Sequence, residues 1–237
     1  MLFVQILGQK AEPIAGVDCF PGRGNFPPSL WEPGVIYRDR YVLPLAPDAQ
    51  APVIAALHVG LHWQDGPRLT ATLPSGERAP DPLWFDLVPV RSAETPSKDT
   101  VYPVGAKLGE AITLVGYDLA SEEVQPGEMV TVTLVWQADS VPEADYTVFV
   151  HLFDDGDLVA QDDHPPLYGE YRTSFWEPVD VVRDTYVLTL GPDQAPCNCG
   201  LQVGMYDPAA GVRLPAYDGL GGRFENDAVV AGGVIVR

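Results

Sequence analysis

Two clusters in this sequence have the residue types and spacing to do chemistry. The first is Tyr168, Glu170, Tyr171, Phe175 and Trp176, with Asp163 just upstream and with Phe20, Phe26 and Trp31 in an earlier, similar stretch. Sugar rings lay their C–H faces on aromatic rings and bring their hydroxyls to nearby carboxylates. Tyr168, Tyr171, Trp176, Asp163 and Glu170 are therefore the candidate carbohydrate-binding residues. The tryptophan also suits core packing, which leaves Tyr168 and Tyr171 as the better ligand contacts. The second cluster is Asp154-Asp155-Gly156-Asp157, followed by Gln161-Asp162-Asp163. It crowds carboxylates as a Ca²⁺ site would, since that ion takes roughly six to eight oxygen ligands. Asp-Gly is also the preferred tip of a two-residue β-hairpin, and the hairpin with solvated charges is the expected outcome.

Other constellations are weaker. His58 and His62 have the spacing of a helical metal site, but Val59-Gly60-Leu61 between them reads as a strand. On a strand the two would sit about 13 Å apart, so no shared metal is expected. Three cysteines are too few for a disulfide scaffold. Cys197 and Cys199 form a C-x-C in a loop-like stretch, far in sequence from Cys19. There is no G-x-S-x-G, P-loop or dinucleotide fingerprint, and the scattered carboxylates do not make a glycosidase pair. A non-enzymatic protein without cofactor or metal is expected, with a carbohydrate-active enzyme as the third-ranked reading.

These side chains are positioned by a repeated unit. Trp31-Glu32-Pro33 recurs as Trp176-Glu177-Pro178, 145 positions on, and Arg38-Asp39 with Tyr41-Val42-Leu43 recurs as Arg183-Asp184 with Tyr186-Val187-Leu188. From Trp31 to Leu45, 9 of 15 positions match their partners. Asp18 falls on Asp163, Phe26 on Tyr171 and Arg68-Leu69 on Arg213-Leu214; with a one-residue adjustment, Phe3-Val4 falls on Phe149-Val150 and Val59-Gly60 on Val203-Gly204. Recurrence at this level marks two copies of one unit. The recurring Arg-Asp pairs read as structural. Asp18 and Asp163 read as loop carboxylates accepting backbone N–H bonds.

The second copy carries two further strand patterns upstream, Ala111 to Tyr117 and Met129 to Trp136. The latter alternates apolar and polar residues behind the turn Gln125-Pro126-Gly127-Glu128. The first copy has no counterpart to either. The expectation is that Met1 lies inside a longer protein, and that upstream in-frame DNA encodes a Gly-Tyr-x-Leu, a Pro-Gly and a Val-x-Val-x-Leu-x-Trp pattern. Removing such strands would expose backbone donors and half an apolar face, so the first copy would need substitute partners.

Composition agrees with a β fold. Twenty-three glycines and 24 prolines interrupt almost every helical window, while hydrophobic residues reach 46%. The formal charge of −19 repels phosphate backbones, so nucleic acid is excluded as an expected partner. No stretch approaches the roughly 20 apolar residues of a membrane helix, and the apolar start reads as a strand with no signal-peptide pattern. The polar stretch 91–99 is the linker, dividing a truncated first β-sandwich repeat over 1–94 from a complete second one over 95–237.

Read in order, Gly116-Tyr117-Asp118-Leu119, Pro126-Gly127, Val130 to Trp136, Asp145 to Leu152, Leu158 to Asp163, Trp176-Glu177-Pro178 and Val203 to Pro208 are familiar. Over 111–214 the chain resembles the extracytoplasmic C-terminal β-sandwich domains of bacterial membrane glycosyltransferases similar to dolichyl-phosphate-mannose protein mannosyltransferases. In that family the transferase chemistry sits in a separate multi-helix membrane domain. The resemblance therefore implies an accessory module with no catalytic residues, whose partners are a carbohydrate or other cell-surface polymer and an upstream membrane domain of the same polypeptide. The first copy departs from the pattern where His62 to Gly66 replaces Tyr206 to Gly211.

The combined expectation is an all-β protein of two tandem β-sandwich units, jelly-roll or immunoglobulin-like, the first lacking its N-terminal strands. Its expected function is that of a non-catalytic, extracytoplasmic or cell-surface accessory module that binds carbohydrate, with the cytoplasm left open. The alternative is a structural spacer or protein-interaction module.

Overall fold

The computed structural model describes residues 1–80 and 83–237. The expectation of an all-β chain is met: 46% of residues are in strands, and the only helical pieces among the described residues are short 3₁₀ turns. No helix among them is long and apolar enough to cross a membrane. Contacts divide the chain into Met1–Ser92 and Ala93–Arg237, called units 1 and 2.

Among the described residues unit 1 forms one antiparallel sheet. Its strands are β1 (Leu2–Leu7), β2 (Pro13–Cys19), β3 (Val53–Leu61) and β4 (Trp84–Val90), in the order β2-β1-β3-β4. Its small core gathers Ile14, Val53, Ala55 and Val90, with Ile6 and Ala49 packed beside them.

Unit 2 begins with β5 (Tyr102–Leu108), β6 (Ile112–Leu119), β7 (Glu123–Val124) and β8 (Met129–Ala138). It continues with β9 (Thr147–Asp154), β10 (Asp157–His164), β11 (Val181–Thr189) and β12 (Cys197–Asp207). The last three are β13 (Val212–Arg213), β14 (Ala216–Tyr217) and β15 (Val229–Val236). One sheet runs β10-β9-β12-β15-β7, with β13 against β12; the other runs β11-β8-β6-β5-β14. The alternation in β8 does what period two requires. Val130, Val132, Leu134 and Trp136 are buried, while Thr131 and Thr133 are more exposed. Phe149, Leu152, Leu201, Val203 and Met205 of the other sheet are equally buried, so both sheets supply the core.

The repeat is visible in the pairing. The order β2-β1-β3-β4 is the order β10-β9-β12-β15, and Val53 opposite Val90 corresponds to Cys197 opposite Val236. Phe3 lies opposite Gly60 and Asp18, as Phe149 lies opposite Gly204 and Asp163. In each unit an arginine covers that phenylalanine: Arg68 stands 4.8 Å from the Phe3 ring centre and Arg213 stands 4.3 Å from that of Phe149. The glycine opposite is required by space, because a Cβ on Gly60 or Gly204 would overlap the phenylalanine ring. Gly204→Ala is therefore expected to cost about 1–3 kcal/mol through overpacking, read as a lower urea midpoint.

The carboxylate run at 154–157 forms the expected hairpin. Asp155 and Gly156 link β9 to β10 with φ of 46° and 98°, as a primed two-residue turn needs. Among the described residues no group of three or more histidine, cysteine or acidic side chains is placed to hold a metal ion.

Unit 1 has no second sheet among the described residues. Residues 36–44, the sequence counterpart of β11, are in no strand pairing there.

Candidate functional site

The expected sugar platform lies on the connection from β10 to β11, and the tertiary structure takes it apart. Trp176 is fully buried and donates its indole N–H to the Tyr171 carbonyl at 3.0 Å. Tyr171 is buried too, its hydroxyl 2.7 Å from Asp180 Oδ2 and 3.2 Å from the Phe175 carbonyl. Neither ring has a face left for a sugar. These two site residues are core residues, and the physical reason is the second sheet of unit 2, which gives their large apolar surfaces somewhere to go. Glu170 is half-buried and ends a short 3₁₀ turn, its N–H on the Leu167 carbonyl at 3.0 Å.

Tyr168 is the one ring of the three that faces solvent, at 69% exposure. Its inner face stacks on His164 at 3.9 Å between ring centres, and His164 stacks in turn on Tyr186 at 4.1 Å. Leu167 and Tyr168 take left-handed backbone angles, φ 51° and 53°, which turn the tyrosine outward.

The carboxylates divide differently from the expectation. Asp163 lies on β10, not on a loop, and accepts from His151 Nε2 at 3.0 Å. Its repeat partner Asp18 lies on β2 and meets His62 Nε2 at 2.8 Å. Both carboxylates thus pair with histidine side chains, drawn from different positions in the two units. The backbone-binding role belongs to Asp39 and Asp184. Asp184 accepts the Leu167 N–H at 2.9 Å and the Tyr186 hydroxyl at 2.6 Å; Asp39 accepts the Gly22 N–H at 2.6 Å and the Tyr41 hydroxyl. Burial pushes the Asp184 carboxyl above the usual carboxylate range, against its hydrogen bonds. The Tyr41 hydroxyl and the Gly22 N–H hold Asp39, at the surface, below that range.

The structure's own candidate site is in unit 1. A groove of about 710 Å³ opens over the inner ends of β1 and β3, with Phe26, Trp31, Tyr37, Leu69 and Phe85 among its walls. Tyr37 stacks on Trp31 at 5.7 Å and meets the edge of Phe26 at 5.0 Å. Arg38, Arg68 and Arg78 supply positive charge and Asp39 a negative one to a mostly apolar lining. Phe26 and Trp31 belong to the aromatic group that the sequence offers as a sugar platform, whereas Tyr37, Leu69 and Phe85 were not singled out for a site. The further signal was that Trp31, Phe26 and Leu45 of unit 1 are the counterparts of Trp176, Tyr171 and Leu190, which are buried in unit 2.

Cys197 and Cys199, at the start of β12, are joined by a disulfide, while Cys19 is free. No known protein-family model matches the chain, and no curated protein is significantly similar to it in sequence.

Proposed function

We propose that this chain is a non-catalytic accessory module of two tandem β-sandwich units, jelly-roll or immunoglobulin-like, the first incomplete, that acts by binding through the groove of unit 1. The observation that carries this reading is the groove itself, an apolar concavity walled by exposed aromatic rings. Apolar surface left open at this scale marks an interaction site. The recurring carboxylates support it from the other side, because each is already engaged by a backbone N–H or a histidine of its own unit. We place the module outside the cytoplasm, attached to a membrane domain of the glycosyltransferase type that the 111–214 motifs resemble; the Cys197–Cys199 disulfide fits an oxidising compartment.

An apolar fluorescent dye tests the groove. It is expected to bind the chain, and Leu69→Asp with Phe85→Asp is expected to lower its fluorescence at least about twofold, since both side chains are exposed on its walls. Unchanged fluorescence would mean that the groove is closed in solution and the reading wrong. Hydrolysis of any polysaccharide by the chain would overturn the non-catalytic part.

A second reading, carbohydrate binding, is favoured by Tyr168, whose outer face is open while its inner face is held by His164. On a glycan array, Tyr168→Ala is expected to remove the signal while changing stability by no more than about 0.5 kcal/mol. An array silent for the wild-type chain removes this reading.

A further inference from the structure

The connection from β10 to β11 is built on a frame that unit 1 shares. Leu167, Tyr168 and Gly169 take left-handed angles, φ 51°, 53° and 84°, and so do Gly22, Arg23 and Gly24, φ 67°, 57° and 91°. In each unit a carboxylate ties this loop down: Asp184 accepts the Leu167 N–H and the Tyr186 hydroxyl, and Asp39 accepts the Gly22 N–H and the Tyr41 hydroxyl. On the common frame unit 2 carries Asp162, His164 and Tyr168 where unit 1 has Val17, Cys19 and Arg23. The turn forms in unit 1 without them, so the turn itself does not require them.

The added residues meet at one ring. His164 lies flat between Tyr168 and Tyr186, 3.9 and 4.1 Å between ring centres and within 15° of both planes. Its side chain is 7% exposed. Nδ1 stands 2.9 Å from the Pro165 carbonyl and so carries the proton of the neutral ring. Nε2 is buried with no hydrogen-bond partner among the described residues. Asp162 Oδ2 is 3.9 Å from Nε2, and Asp184 Oδ2 is 3.9 Å from Nδ1. The titratable groups facing the ring are thus Asp162 on β10, Asp184 and Tyr186 on β11 and Tyr168 on the loop, while β9 places Val148 opposite it. A neutral imidazole is poorly served here, because its buried lone pair faces a carboxylate. A proton on Nε2 turns that lone pair into an N–H and sets an imidazolium between two electron-rich ring faces.

We propose that His164 is a pH-sensitive latch on the 165–170 loop: protonated, it clamps Tyr168 against the sheet, and neutral, it lets the loop and its exposed tyrosine swing away. The closed loop is the state that favours the proton. Closure is therefore strongest at acid pH and weakens as pH rises through the titration of His164. The latch is independent of the groove in unit 1 and of whether Tyr168 meets a sugar. Asp184 titrates beside it, its carboxyl raised by burial, so the two groups have to be separated.

NMR of the full chain with labelled histidine and tyrosine rings, followed from acid to mildly alkaline pH, makes that separation. The His164 ring signals report its proton, and the Tyr168 ring signals, displaced by stacking, report closure. Hydrogen-exchange protection at the Leu167 N–H, corrected for the intrinsic effect of pH, reports opening. All are expected to change with one midpoint, protection falling at least about threefold on its alkaline side. His164→Phe keeps a flat ring between the tyrosines but takes no proton, and its Tyr168 signals are expected to stay in the closed position throughout. Separate midpoints in the wild-type chain, or a His164 that loses its proton while Tyr168 stays put, would overturn the latch. So would a His164 that takes up no proton while the chain is folded. A Tyr168 transition that persists in His164→Phe would assign the effect to Asp184 and overturn it equally. The wild-type midpoints decide the matter even where the variant fails to fold.

Discussion

Trp176→Ala is expected to cost about 3–5 kcal/mol of stability, the range for deleting a fully buried aromatic. The same substitution at its repeat partner Trp31 is expected to cost about 1 kcal/mol or less. Both tryptophans sit in a Trp-Glu-Pro, and both cap a short 3₁₀ turn with an N–H to a carbonyl three residues back. They differ in what lies over them. Trp176 is sealed in the core and hydrogen-bonded to Tyr171, whereas Trp31 stands at the rim of the open groove against Tyr37. Urea unfolding of the two variants checks the pair. Equal losses would mean that the groove of unit 1 is filled in solution by something equivalent to β8.

Asp184→Ala is the second large effect, expected at about 2–3 kcal/mol. The carboxylate is 3% exposed, and truncating it strands the Leu167 N–H and the Tyr186 hydroxyl without their acceptor. The corresponding change at Asp39 loses less, because water can replace the carboxylate at the surface. Burial raises the Asp184 pKa in the folded state above the ordinary carboxylate value. A carboxyl shifted in that direction contributes stability that is complete below the unfolded value and lost as pH rises through the folded one. Asp184→Asn removes this term. The wild-type chain is therefore expected to lose stability relative to Asp184→Asn as pH is raised from the acid range through the folded pKa. Urea midpoints of both proteins across that window measure it, and parallel profiles would show that Asp184 does not titrate there.

Much of the fold was legible because β structure writes itself with period two and turn residues. The alternation over Met129 to Trp136, the Pro126-Gly127 turn before it and the Asp155-Gly156 hairpin tip are local signals, and the structure has a strand, a turn and a hairpin at those places. The repeat was legible for a different reason. Phe3 with Gly60 and Phe149 with Gly204 are pairs that must change together, since a side chain on either glycine collides with the ring. The candidate site was less legible. An aromatic residue on a loop has the same sequence signature whether it stays exposed or plugs a core, and of the three rings Tyr168 is exposed while Tyr171 and Trp176 are buried. The carboxylates divide in the same way: Asp18 and Asp163 recur as clearly as Asp39 and Asp184, yet the first pair meets histidines and the second meets backbone.

The sequence by itself determined that this is a β protein with a duplicated unit, and that strand patterns present before the second copy have no match before the first. Those properties reside in neighbouring residues and in register, which a linear chain carries openly. Only the tertiary structure decided how the two copies differ. One Trp-Glu-Pro became core and the other the rim of a groove, because burial depends on what packs from across the fold. In unit 2, β8 and β6 pack there; in unit 1 residues 36–44 hold the same pose with the place beside them open.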